Sequence, residues 1–127
     1  MNEPVQPQDL APPAANYSHA VVATNAARLL FTSGVVPTRT DGTVPADLAE
    51  QAATVWKNLA SIVASAGFVT TDITSITTYV VAGNDLRIVM AARDTAMAGH
   101  KAASTLVVVP SLARREWQIE ISLIAAR

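Results

Sequence analysis

Between Asp47 and Gly67 the chain spells out one complete helix, and this segment constrains the fold more than any other. Asp47 and Glu50 stand at capping-box spacing, so their side chains can satisfy orphan backbone donors of a first turn. Leu48, Ala52, Val55, Leu59, Ile62 and Ala66 recur every three or four residues and make one apolar stripe. Gly67 sits where a helix ends in a left-handed residue. A helix of this kind must bury its stripe against something, and the flanking segments supply strands. Asp72 to Val81 is rich in Ile, Thr, Val and Tyr. Asn84 and Asp85 can cap a second helix, Leu86 to Met97, with Leu86, Val89, Met90, Arg93 and Met97 on one side and Gly99 as its stop. Ala103 to Val109 is a β-branched run closed by Pro110, and Trp117 to Ala125 reads as the last strand. Upstream, Tyr17 to Thr24 and Arg28 to Ser33 read as two strands joined through Asn25-Ala26-Ala27, a spacing that predicts a hairpin. Thr38 to Pro45 is a turn-rich loop.

The predicted order is therefore ββαβαββ, an α+β domain. Two strand-helix-strand crossovers on one sheet are expected to be right-handed and to place both helices on the same face. The opposite face must then meet water, a ligand or another subunit. With 127 residues the chain has the length of one domain. Residues 1–16 hold four of the seven prolines and read as an extended, poorly ordered arm, leaving residues 17–127 as the single folded domain. Half of the residues are apolar, more than a self-contained monomer needs, which leans toward burial between subunits.

Composition also excludes partners. The net charge is −1, the nine Lys and Arg residues are scattered, and two each of Phe, Tyr and Trp make no stacking platform. Nucleic acid is thus not an expected partner. Without cysteine there is no disulfide, thiolate metal site or cysteine nucleophile. The start, Met1-Asn2-Glu3-Pro4, lacks the basic and apolar regions of a secretory signal, and no apolar run reaches the roughly 20 residues that span a bilayer. The expected address is the cytoplasm, with no membrane partner.

Glu120 is the residue that stands out. Along the last strand Trp117, Ile119, Ile121 and Leu123 point one way, while Gln118, Glu120, Ser122 and Ile124 point the other. A glutamate between two isoleucines in a strand must be solvated, paired or working as a general acid/base. Tyr17 and His19 share a strand face, Ser33-Gly34 ends a strand, and Ser104-Thr105 lies within one. Each has an ordinary structural reading as well, as does Trp56 beside the apolar stripe and His100 at a helix end. Two histidines 81 positions apart show no ligand spacing, so no metal is expected. No G-x-S-x-G, G-x-G-x-x-G or Walker loop occurs, so neither a serine hydrolase nor a nucleotide or other cofactor is indicated.

Taken in order, several segments resemble the RidA/YjgF family of small trimeric proteins. They are Asn16-Tyr17-Ser18-His19-Ala20, Leu30-Phe31-Thr32-Ser33-Gly34-Val35-Val36-Pro37, the helix carrying Gln51 and Asn58-Leu59, Ser65-Ala66-Gly67, Ala103-Ser104-Thr105-Leu106, and Ile119-Glu120-Ile121. The resemblance implies a chorismate-mutase-like α+β fold, three subunits enclosing a barrel, and small-molecule clefts at the subunit boundaries. It implies hydrolysis of a reactive enamine or imine to a ketone and ammonia. Glu120 would then handle water as acid/base, and Tyr17, His19, Ser33, Gly34, Ala103, Ser104 and Thr105 would form the substrate-binding set. One departure matters: Ala103 stands where the family places the arginine that clamps a substrate carboxylate. Alanine cannot supply a planar bidentate donor. Lys101 and Arg93 are the nearby cations that could stand in. The expected function is a divergent enzyme acting on a neutral, larger or differently anchored enamine, imine or related metabolite; the alternative is a non-catalytic metabolite-binding homotrimer. Ribonuclease action, known among relatives of the family, fits poorly with so weakly basic a chain.

Overall fold

The computed structural model describes residues 1–127. The first helix, α1 (Leu48–Ser65), opens where its cap predicts: the Asp47 carboxylate accepts the Glu50 N–H at 3.2 Å. The reciprocal half of the capping box is not made. Glu50 turns instead to Arg39, 3.5 Å away. At the other end Gly67 has φ +81°, and the N–H groups of Gly67 and Phe68 reach back to the carbonyls of Ala64 and Val63. These two bonds make the left-handed closure that favours glycine. Leu48, Ala52, Val55 and Leu59 of the stripe are buried, but its last turn rotates toward Val63, and Ile62 is left half-exposed. Trp56 is buried in the same core.

The second helix, α2 (Leu86–Met97), is capped by Asp85 and ends in left-handed Ala98 and Gly99. Six strands complete the fold: β1 (Asn2–Val5), β2 (Ala20–Ala23), β3 (Leu29–Phe31), β4 (Ile73–Val81), β5 (Ala103–Val109) and β6 (Ile119–Ala126). The main sheet runs β3-β6-β4-β5, with β6 antiparallel to both neighbours and β4 parallel to β5. Both helices contribute to one core with the alternate residues Ile76 and Val80 of β4 and Ile119, Ile121, Leu123 and Ala125 of β6. The opposite sheet face carries no helix.

Two details differ from expectation. The segments around β2 and β3 do not form a hairpin. Asn25 adopts φ +55° between them, β3 pairs with β6, and Ala27 and Arg28 both donate to the Arg127 carbonyl. Strand β2 pairs instead with β1, Asn2 opposite Ala23 through Val5 opposite Ala20. The N-terminal stretch is therefore extended but held at its beginning, where the Asn2 amide also donates to the carbonyls of Ala126 and Asp72. No helix is long and apolar enough to cross a membrane.

Candidate functional site

Registry of the β3 chain against β6 changes at one place, and the site is built there. Thr32 bonds Leu123, whereas three residues on Val35 pairs with Ile121 through two hydrogen bonds of 2.7 and 3.0 Å. Ser33 and Gly34 thus share the single partner position of Ser122, which is a β-bulge. The Thr32 hydroxyl stabilises the bulge, accepting the Leu123 N–H at 3.0 Å and donating to the Ser33 carbonyl at 2.8 Å. The half-buried Glu120 side chain lies against the backbone of Gly34. A Cβ built on that glycine would overlap Oε2 and approach Cδ to 2.8 Å. Only the absence of a side chain at position 34 leaves room for the carboxylate.

Two amides of α1 hold the frame. Gln51, almost completely buried, donates to the carbonyls of Pro45 and Glu116 and accepts the Gln118 N–H, all within 2.9 Å, fixing the entry to β6. Seven residues on, and so on the same helical face, Asn58 donates to the carbonyls of Val36 and Thr38, fixing the exit from the bulge. Glu120 itself forms no ion pair in the chain.

Cross-strand register sets what surrounds it. Glu120 lies opposite Tyr79, which lies beside Val107; the next row is Ser122, Thr77 and Thr105; the row after that is Ile124, Ser75 and Ala103. These side chains share the face without helices, because their neighbours along β6 and, from Ile76 onward, along β4 are buried, and Leu106 of β5 packs on the core. That face is polar at its centre and apolar at its β3 margin, where Leu29, Phe31 and Ile124 are 57%, 66% and 36% exposed. Reading residues one at a time passes over Tyr79, Thr77 and Ser122; the usable signal is parity, since each alternates with a residue of the buried face.

The remaining candidate residues gather elsewhere. Ser18 bridges to Ala103, donating its N–H to Ala102 at 3.0 Å and its hydroxyl to Lys101 at 2.7 Å. The Tyr17 and His19 rings meet edge to face at 6.1 Å. Both hold the proline-rich stretch: Nε2 of His19 is 2.7 Å from the Ala11 carbonyl, and the Tyr17 hydroxyl accepts from the Ala14 N–H. Ala103 and Thr105 belong to the open face, whereas Ser104, in register with buried Ile76, faces the helices. From Glu120 to the Tyr17–Ala103 group is two strands across and four residues along, about 16 Å. One chain does not bring the two groups together.

Arg93 does not replace the missing guanidinium. It is buried on α2 and bonded to Asp94 at 3.1 Å, and Asp94 also accepts from Asn16. Lys101 is exposed beside the Tyr17 group. No three His, Asp or Glu side chains cluster as metal ligands. A groove of about 860 Å³ between α1 and α2 is lined by residues such as Trp56, Lys57, Ala60, Ile88, Ala92 and Ala96. It contains none of the residues expected to carry the site and no carboxylate.

Helices on one face, a bulge cradling a carboxylate and an open hydroxyl-bearing face define a small α+β domain with a potential small-molecule site. The family model described as Endoribonuclease L-PSP matches residues 8–127. The chain belongs to that family, the Rid/YjgF proteins. A Rid-family protein of unknown function from Yersinia pestis, YyfB, is similar over 99% of this chain and 98% of its own, with 27% identity and a TM-score of 0.90. The structure of E. coli TdcF with bound serine is similar over 98% of both chains, with 26% identity and a TM-score of 0.73. Yeast Mmf1 covers 100% of this chain and 99% of its own, with 25% identity and a TM-score of 0.72. No curated protein matches.

Proposed function

We propose that the protein is a divergent imine or enamine hydrolase of the cytoplasm, working as a homotrimer with Glu120 as its acid/base. One observation carries this reading: a half-buried carboxylate, without an ion-pair partner in its own chain, packs on a bulged glycine and faces the open side of the sheet. In the step proposed, Glu120 takes a proton from water as the water oxygen attacks the imine carbon. The same carboxyl group returns the proton to nitrogen, giving a carbinolamine; Glu120 then takes the carbinolamine hydroxyl proton and delivers it to that nitrogen as the C–N bond breaks, so that a ketone and ammonia leave. The exposed apolar margin around Phe31 supports assembly, and a neighbouring subunit would bring its Tyr17 and Ala103 group to the Glu120 side of this chain. TdcF, with serine bound, supports small amino-acid-derived metabolites as the general size class. Ribonuclease action, which the family description names, finds no support in the face: none of the residues in its three rows is Lys or Arg.

The test is ammonia release from imines generated in situ, with and without a carboxylate, by the native protein and Glu120→Gln. Loss of on the order of 10²–10⁴-fold in turnover is expected for the variant. Equal turnover would remove Glu120 from the chemistry. Ligand binding without ammonia release by either protein would favour the metabolite-binding alternative.

A further inference from the structure

Tyr79 is directly opposite Glu120 on the open face. Opposite residues of an antiparallel pair have Cβ atoms about 5 Å apart, so the Tyr79 and Glu120 side chains rise from adjacent positions on this face. In the next two rows lie the hydroxyls of Ser122, Thr77, Thr105 and Ser75. All four side chains, like Tyr79, make no hydrogen bond in the chain, unlike the Thr32 and Thr74 hydroxyls nearby. Each hydroxyl can donate one hydrogen bond and accept others. Glu120 is the only ionisable carboxylate in the three rows, and no cation accompanies it.

We propose that Tyr79 is a substrate-contacting residue of the Glu120 site and that the site selects uncharged α-oxo or α-imino compounds over their carboxylates. The phenol donates to the oxo or imino heteroatom. The hydroxyls of the adjoining rows receive the uncharged group next to it, such as a carboxamide, which both donates and accepts. A carboxylate there would lie near Glu120 with no positive charge in the three rows of this face to offset the repulsion, and like charges at such distances disfavour binding. This assignment rests on the proposed Glu120 site for its chemistry, but recognition can be measured without turnover.

The experiment is a titration of ¹⁵N-labelled protein with pyruvamide and with pyruvate, which differ little in size but differ in charge. Pyruvamide is expected to shift amides of β4 and β6 around Tyr79 and Glu120 and to bind at least about tenfold more tightly than pyruvate, with Tyr79→Phe weakening pyruvamide about three- to tenfold and leaving distant amides unmoved. If Tyr79→Phe fails to fold, Thr77→Val, which keeps the shape of the hydroxyl row, is expected to weaken pyruvamide similarly. Equal affinities for the two probes, an absence of shifts on β4 and β6, or unchanged binding by the folded variant would overturn the assignment. Selective pyruvamide binding without ammonia release from any imine would remove the hydrolase reading and leave this one standing.

Discussion

Gly34→Ala is a clean perturbation of the site, because it adds one methyl group and removes no functional atom. Gly34 does not occupy the left-handed region, so alanine is acceptable to the backbone. The three nearest atoms the new Cβ meets all belong to Glu120: it overlaps Oε2, and lies 2.8 Å from Cδ and 3.1 Å from Cγ. To reach an ordinary contact of 3.4 Å the carboxyl carbon must retreat by 3.4 − 2.8 = 0.6 Å, and the overlapped oxygen by more. Glu120 is a flexible side chain, so the fold should yield there, at the cost of about 1 kcal/mol for a displaced rotamer. Activity should suffer far more, since a misplacement of about 1 Å costs on the order of 10²-fold in rate. Ammonia release gives the rate and urea unfolding gives the stability. The decisive comparison is Gly34→Ala combined with Glu120→Gln. If position 34 acts only through the carboxylate, the double variant is no slower than Glu120→Gln alone. Unchanged ammonia release by Gly34→Ala would refute the reasoning, as would fully additive losses in the double variant.

Gln51→Leu orphans one buried carbonyl, one part-buried carbonyl and one N–H at about 1 kcal/mol each, so a loss of about 3 kcal/mol and roughly 10 °C in Tm is expected; a loss below about 1 kcal/mol would show that the frame does not depend on this amide. Hydrogen bonds from the Arg87 side chain, then from its backbone N–H, hold the Asp85 carboxyl below its ordinary value. Its folded value lies below its unfolded one, so its contribution is present at neutral pH and is lost as pH falls through the folded value. Asp85→Asn should therefore differ from the native protein more in urea unfolding at about pH 7 than at about pH 3, and an equal difference at both would contradict the cap's role. Glu120→Gln and Tyr17→Phe subunits, each inactive alone and co-refolded in equal amounts, should regain about a quarter of native ammonia release, because that share of boundary sites pairs an intact Glu120 with an intact Tyr17. Recovery no greater than the average of the parents would mean that the two groups do not share a site.

What could be read without the structure divides along a physical line. The helices were legible from local chemistry: Asp47, Asp85, Gly67 and Gly99 act within one turn, and the apolar stripe is set by the 3.6-residue period. Strands β4 and β5 were legible from β-branched runs. Which strands pair is a non-local matter, and there the local reading failed. Closeness of β2 and β3 in sequence suggested a hairpin, yet β1 and β6 offered better partners. The bulge at Ser33-Gly34 was likewise invisible, because a bulge exists only relative to its partner's register.

Glu120 was legible as an anomaly, since a carboxylate between isoleucines in a strand asks for a reason. Its setting was not, because the residues that flank it on the open face come from register: Gly34 through the bulge and Tyr79 through β4. The same register divides the face into two zones. Apolar side chains rim it at Leu29, Phe31 and Ile124, whereas hydroxyls occupy its middle. Those two zones ask for different covers. An apolar rim is satisfied by a second protein surface, while unpartnered hydroxyls beside a carboxylate are satisfied by water or a polar ligand. A subunit seated on the Phe31 margin would close the first and leave the second as an enclosed polar chamber. The roughly 16 Å between Glu120 and the Tyr17–Ala103 group then ceases to be an obstacle. In the proposed trimer a complete site would need two chains, with one supplying the carboxylate and phenol and the other the wall that faces them.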